Sequence, residues 1–277
     1  MPSLVIPPVI GGVGDTNLTA AARAGTTVTA SGSINTKGSY SSLIDPTTKP
    51  SYGFWVVLSA VGATAANTSM LVDIAYGPTG GGSEEILVLD LDAGAAASTI
   101  AQVGCKAYYF PVYIPTGVRV SARCQAFIAS DTVVVSIFLN QDPAYRWTCG
   151  AVTTYGEDEA TSNGTSVTPA SGSFGTWTQI GAGTDPVRAH RFWTVGYSVG
   201  TDTTIAAADV LIEIGTGPDS SNVSTIGRFK FWQIGTELIG GPFPLLVYGP
   251  VVAGGELWAR IASAEAEARR IILYGMD

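Results

Sequence analysis

Leu71-Val72-Asp73-Ile74-Ala75-Tyr76-Gly77-Pro78 recurs downstream as Leu211-Ile212-Glu213-Ile214-Gly215-Thr216-Gly217-Pro218. Each copy is a short run rich in branched aliphatics that ends on Gly-Pro, the pattern of a strand running into a turn. Both place one acid among the apolar residues. The recurrence extends outward on both sides. Upstream, Gly25-Thr26-Thr27-Val28-Thr29-Ala30-Ser31-Gly32-Ser33 returns as Gly164-Thr165-Ser166-Val167-Thr168-Pro169-Ala170-Ser171-Gly172-Ser173, and Phe54-Trp55 as Phe192-Trp193. Downstream, Val112-Tyr113-Ile114-Pro115 matches Val247-Tyr248-Gly249-Pro250, and Val120-Ser121-Ala122-Arg123 matches Leu257-Trp258-Ala259-Arg260. Five matches in one order, at nearly constant spacing, indicate an internal duplication. The expected organisation is an N-terminal arm (1–24), a first β domain (25–140), a polar linker (141–163) and a second β domain (164–277).

Within the first copy, strands are expected near 26–33, 39–44, 53–60, 69–76, 85–91, 106–113, 117–128 and 132–140. They are separated by Gly, Pro, Asn, Asp and Ser clusters at the spacing of all-β folds. Eight strands in so short a span predict two packed antiparallel sheets, so the fold class is all-β, with two tandem β-sandwich, jelly-roll-like domains. Glu256–Tyr274 pulls the other way. Its Ala-Glu-Ala-Glu-Ala-Arg-Arg run has helix formers and a Glu265–Arg269 pair at i,i+4. Its counterpart, Val133-Val134-Val135-Ser136-Ile137-Phe138-Leu139, is β-branched, and loss of that strand would leave a sheet open. A strand hairpin is therefore expected there.

Composition narrows the function classes. The chain has 277 residues, of which 46% are hydrophobic and only 13% charged, against about 25% charged in a typical domain. Net charge is −8, which argues against nucleic acid as a partner and against a polybasic membrane surface. No apolar run reaches the length of a membrane span, and the N-terminus lacks the basic region of a signal peptide. Three cysteines, Cys105, Cys124 and Cys149, fit neither a CxxC pair nor a zinc-finger spacing. Cys124 alternates with Val118, Val120, Ala122, Ala126 and Ile128 and reads as a core thiol in a reducing compartment.

Catalytic patterns are sparse. His190 is the single histidine; it lies between arginines ahead of a strand and reads as a surface or strand-edge residue. Glu84-Glu85 and Glu157-Asp158-Glu159 fall in polar stretches and read as solubilising acids. No acidic run has the spacing of a calcium loop, and the glycine-rich stretches lack the Lys-Ser/Thr of a phosphate loop. No catalytic residue, metal or cofactor is expected. Arg123 and Arg260 recur on the strand face opposite the core. They suit either a subunit interface or an intradomain ion pair with Asp73 and Glu213. Among Trp55, Trp147, Trp177, Trp193, Trp232 and Trp258, the repeated Trp55 and Trp193 are the candidates for an outward ring that meets a glycan or an interface.

The duplicated Gly/Ser/Thr-rich β unit, with segments such as Phe110-Pro111-Val112-Tyr113-Ile114-Pro115-Thr116-Gly117-Val118-Arg119-Val120-Ser121-Ala122-Arg123, resembles structural proteins of tailed-bacteriophage virions: head-decoration, fibre, spike and tail-tip proteins with β-sandwich or jelly-roll domains. The resemblance implies a virion component made and assembled in the bacterial host cytoplasm. Its implied partners are other copies of itself, commonly as a homotrimer, other virion proteins, and in some cases a host surface glycan. A mean hydropathy of +0.29 with so few charges also suits a chain that hides apolar surface in permanent contacts. Two further readings stay open: a carbohydrate- or receptor-binding protein for host adsorption, and an envelope-polysaccharide-degrading enzyme using an acidic pair. The arm carries Leu4, Val5, Ile6, Val9 and Ile10 among three prolines. It cannot form a helix and is expected to dock on a partner, a neighbouring copy or a virion protein, the alternative being that it folds back over its own domain.

Overall fold

A computed structural model describes residues 14–21, 23–61, 68–96, 106–145, 148–181, 189–199, 208–233, 247–251 and 253–277. The described chain is built of sheets that are antiparallel apart from one two-residue parallel pairing (Ala170–Ser171 with Ala262–Ser263), with one 3-10 turn at Pro143–Tyr145 as its sole helical element. No described helix is long and apolar enough to cross a membrane.

The first half contributes β1 (Thr26–Thr29), β2 (Ser41–Ile44), β3 (Phe54–Ser59), β4 (Thr68–Gly77), β5 (Glu85–Ala96), β6 (Lys106–Phe110), β7 (Arg119–Ala126) and β8 (Thr132–Leu139). Every strand expected from the sequence in this half is present. They form two four-stranded sheets, ordered β1-β8-β3-β6 and β2-β7-β4-β5. This is the jelly-roll arrangement, in which each sheet draws strands from both ends of the segment. Alternation places Met70, Val72 and Ile74 of β4 opposite Ala126, Cys124 and Ala122 of β7, facing the core between the sheets.

The second half contributes β9 (Val152–Tyr155), β10 (Glu157–Asp158), β11 (Asn163–Val167), β12 (Ala170–Ser171), β13 (Thr178–Ile180), β14 (His190–Ser198), β15 (Ala208–Thr216), β16 (Ser224–Gln233), β17 (Val247–Val251), β18 (Leu257–Ser263) and β19 (Arg269–Met276). One sheet runs β10-β11-β19-β14-β17, with β9 also on β19. The other runs β12-β18-β15-β16, with β13 also on β18. Counted from β11 onward, with β12 and β13 sharing one position, the strands stand in the same order as those of the first half.

Glu256–Tyr274 is strand, as its counterpart required. Leu257, Ala259 and Ile261 of β18 and Ile271 and Leu273 of β19 face the second core, and the Ala-Glu-rich run is reduced to the turn between them. Helix propensity worth tenths of a kcal/mol per residue loses to the completion of two sheets. β19 is buried on both faces. Ile271 and Leu273 serve its own half, while Ile272, Tyr274 and Met276 join the core of the first.

Residues 141–163, expected as a linker, hold β9, β10 and the start of β11. The β10–β11 turn leans on the first half, whose side chains satisfy its carbonyls. Gln125 Nε2 donates to Glu159 O (2.8 Å), Asn35 Nδ2 to Ala160 O (2.5 Å) and Ser69 Oγ to Thr161 O (3.3 Å). A polar, acidic sequence reads as solvated, yet here its backbone polarity is used in docking.

Candidate functional surfaces

Both repeated tryptophans are buried, and neither ring is open to a glycan. Trp55 points away from its core, as expected, but packs there with Ala107 and Tyr109. Trp193 points into the second core and donates from Nε1 to Gly249 O at 2.7 Å. The physical reason is register. Phe54 stands opposite Leu139 and Phe110, whereas Trp193, not Phe192, stands opposite the matching positions Gly275 and Val247. A slip of one residue reverses the face of a side chain, so matching Phe54-Trp55 with Phe192-Trp193 pairs residues of opposite orientation. Gly275 makes room for the larger ring, since a Cβ there would meet Trp193 at 2.9 Å.

Arg123 and Arg260 occupy equivalent places, each cross-strand from an acid: Asp73↔Arg123 and Glu213↔Arg260. Both make the intradomain pair. Arg123 Nε donates to Asp73 Oδ2 at 2.8 Å, with its guanidinium 4.7 Å from the Tyr40 ring centre. Arg260 Nε donates to Glu213 Oε2 at 2.6 Å, and its guanidinium lies over Phe174 (4.6 Å) and Trp177 (4.3 Å). Stacking plus a forked hydrogen bond is what guanidinium chemistry supplies and ammonium does not. Only the outer edge of each arginine is left for a neighbour.

The halves differ in how the acid is balanced. Glu213 takes a second arginine, Arg228, through Oε1 at 2.7 Å. Burial alone would raise the Glu213 carboxyl, but the hydrogen bonds from Arg228 and Arg260 outweigh it and hold the group below its usual range. In the first half the strand beside Asp73 carries Asp90 instead, on the bulged stretch of β4–β5 and with φ of 52°. Lys37 bridges the two acids, contacting Asp90 Oδ1 and lying 2.6 Å from Asp73 Oδ1. Burial pushes the Asp90 carboxyl up to about 7 despite Lys37, with Asp73 and Glu159 adding to the rise. Its Oδ2 is buried without a hydrogen-bond partner.

A second polar cluster ties the halves together. Lys106 Nζ lies 2.5 Å from Asp92 Oδ2 and also donates to Tyr197 O of the second half. Burial lowers the Lys106 pKa, with Asp92 opposing. Tyr274 accepts from Asp92 N at 2.7 Å and donates to Asp90 O at 3.0 Å. Gly196 permits this approach, because a Cβ there would sit 2.8 Å from that of Asp92. None of these residues stands out in sequence, since a lone Lys or Asp in a strand usually marks a solvated face.

The remaining candidates have structural settings. His190, expected at the surface or a strand edge, is the first residue of β14 and is buried beneath Tyr155, with 2.7 Å between Nε2 and the hydroxyl, and edge-on to Trp193. Gly275 across the strand leaves space for that ring as well. Cys124 and Cys149 are free thiols, each pushed by burial to about 12; Cys105 lies outside the described residues. Glu85 accepts from Tyr76 OH at 2.7 Å and Glu84 pairs with Arg119 at 3.5 Å. Glu157 and Glu159 are in the hairpin that docks on the first half. Among the described residues no three His, Cys, Asp or Glu side chains converge as a metal site. Leu4, Val5, Ile6, Val9 and Ile10 lie outside the described residues, as does Trp147. Among the described residues the large apolar side chains that reach solvent are others: Ile34, Ile86, Tyr113, Phe127, Trp232 and Tyr248. Tyr113 and Ile86 border an open groove of about 370 Å³ that Tyr76 and residues 148–152 also line.

No family model matches the chain, and no curated protein matches it. Solved structures give distant likenesses. PNGF-II aligns at TM-score 0.34 and 10% identity over 91% of this chain, which spans 66% of that one. The STIV MCP aligns at TM-score 0.34 and 9% identity, over 91% of this chain and 96% of that one. A CBM22-1–CBM22-2 tandem domain of Paenibacillus barcinonensis Xyn10C aligns at TM-score 0.27 and 9% identity, over 98% and 99%. Likenesses this distant say nothing about function.

Proposed function

We propose that the chain is a non-enzymatic structural component of a bacteriophage virion. It is read as two duplicated jelly-roll units, 25–140 and 164–277, that oligomerise and attach to capsid or tail, with a trimer as the expected assembly. The observation that carries this reading is the joining of the two sandwiches into one block. They share the strand β19 between their cores and are pinned by the Lys106–Asp92 pair against Tyr197 and Tyr274. A ligand-gating or catalytic two-domain protein gains from a mobile cleft between its units. A building block gains from a stiff one. The jelly roll is a recurrent shell-forming architecture, and the low surface charge suits permanent contact with like subunits.

The test is size-exclusion chromatography with light scattering at micromolar concentration, together with immunogold labelling of purified phage particles. A mass of several chains and label on the particle support the reading. A monomer at every concentration, or particles without label, overturns it.

A further inference from the structure

The outer face of the β4–β7 sheet and that of the β15–β18 sheet are equivalent in position but not in cover. In the first half, Ser69, Asp73 and Gln125 alternate with the core-facing Met70, Val72 and Cys124 and are all buried. The β10–β11 turn lies over them, held by Gln125 and Ser69, and the 35–40 segment covers Arg123. The matching face of the second half is covered at one end only: Glu213 is buried and Arg260 lies under Phe174 and Trp177, whereas Asp209 is exposed and Leu211 and Ala262 are half-buried. There Asp209 replaces Ser69 and Ala262 replaces Gln125, so the side chains that donate to the turn's carbonyls are gone. This face is not equipped to receive a hairpin of that kind.

It is equipped differently. Val210, Ile212 and Ile214 of β15 and Phe229 and Phe231 of β16 face the core, so Asp209, Arg228, Lys230 and Trp232 project outward. Trp232 stands directly opposite Asp209, and Lys230 opposite Leu211. Trp232 is 44% exposed. Lys230 and Asp209 form an ion pair at 3.0 Å whose side chains are 64% and 61% exposed. A tryptophan is costly to leave in water, and a solvated ion pair contributes little to folding. Together they present a flat apolar ring beside an acceptor and a donor, both free to exchange water for another polar partner, on a sheet that fixes their spacing.

We propose that this face binds a carbohydrate, with a pyranose ring stacked on Trp232 and its hydroxyls hydrogen-bonded to Asp209 and Lys230. A sugar ring has an apolar C–H face and a rim of hydroxyls that both donate and accept, which matches an indole flanked by a carboxylate and an ammonium. A second protein chain would also use a tryptophan beside charged groups, so the experiment separates the two occupants. This surface is separate from those joining the halves, and sugar binding there does not depend on assembly into a virion.

The full chain is screened on a printed array of neutral and acidic oligosaccharides, and the strongest hit is measured by isothermal titration calorimetry. Trp232→Ala should weaken that binding by about tenfold or more, and Trp232→Phe by clearly less. Asp209→Ala should weaken it without a change in melting temperature, because its ion pair is exposed. Absence of any array signal overturns the proposal, as does a Trp232→Ala variant of unchanged affinity. A Trp232→Ala variant that lowers the mass seen by light scattering while leaving sugar affinity intact also overturns it, in favour of a protein partner.

Discussion

Lys106 and Asp92 form a buried ion pair at the meeting of the two sandwiches, their side chains only 5% and 6% exposed. The pair is bounded by Tyr108, whose hydroxyl donates to Asp92 O at 2.8 Å, and by Gly94, whose N–H donates to Asp92 Oδ1 at 2.9 Å. Lys106→Met keeps the stem but strands the carboxylate. Breaking such a pair on one side costs about 3–5 kcal/mol, and urea unfolding should show a loss of that size. Lys106→Met combined with Asp92→Asn should recover a large part of it, because the neutral amide removes the unpaired charge. Equal loss in the single and double variants would show that the ammonium acts through packing alone.

Asp90 gives the chain a dependence on pH with a definite sign. Its folded pKa, about 7, is above the unfolded carboxylate value of about 3.9. Between those values the folded state holds the extra proton, so this group's contribution to stability is full below pH 4 and falls as pH rises to about 7. Asp90→Asn removes the titration, and asparagine tolerates the left-handed backbone at this position. Thermal melts at pH 8 should place the variant above the parent by at least about 2 °C, with the two curves converging near pH 4. A parent whose melting temperature does not fall relative to the variant between pH 4 and 7 would contradict the assignment.

The paired arginines on Glu213 should be unequal. Arg228 is 63% exposed, so Arg228→Ala is expected to cost under about 1 kcal/mol. Glu213→Gln removes the charge that organises both guanidiniums from a fully buried position and should cost about 1.5–3 kcal/mol. Chemical denaturation of the two variants under one buffer reads the difference directly.

Deleting residues 2–13 should leave the far-UV circular dichroism and melting temperature unchanged while abolishing oligomerisation or incorporation into particles. The cut stops before the first residues fastened to the sandwich. Asp15 holds Thr48 and Gln141, and Asn17 reaches the backbone of β8. Loss of folding would mean that the arm covers its own half, and normal incorporation would reject its role in docking.

Much of the fold is readable because strand signals are local. The period-2 alternation in 118–128 and the branched runs at 71–75 and 211–214 mark buried strands without knowledge of any partner. The counterpart Val133–Leu139 corrects the helical lean of Glu256–Tyr274 for the same reason: it records a packing requirement that propensity ignores. What stays hidden depends on register and on long-range approach. Trp55 and Trp193 look equivalent in a linear match, yet the pairing of Trp193 with Gly275 turns one of them inward. The acidic turn after β10 looks solvated because its bonds to Asn35, Ser69 and Gln125 use carbonyls, which every residue has. Trp232 is not repeated between the halves, so a search guided by the duplication passes over the ring that reaches solvent.

The double duty of β19 has a consequence for synthesis. Ile272, Tyr274 and Met276 complete a core whose other members are encoded well over a hundred residues earlier. All eight strands of the first half are therefore made before β19, but its core lacks three of its buried side chains until β19 arrives. Order of translation and order of burial part company: part of the core made early is covered only by the segment made late. Removing the single segment 269–276 would therefore take apolar side chains from both cores at once, so damage to it is felt on both sides of the molecule.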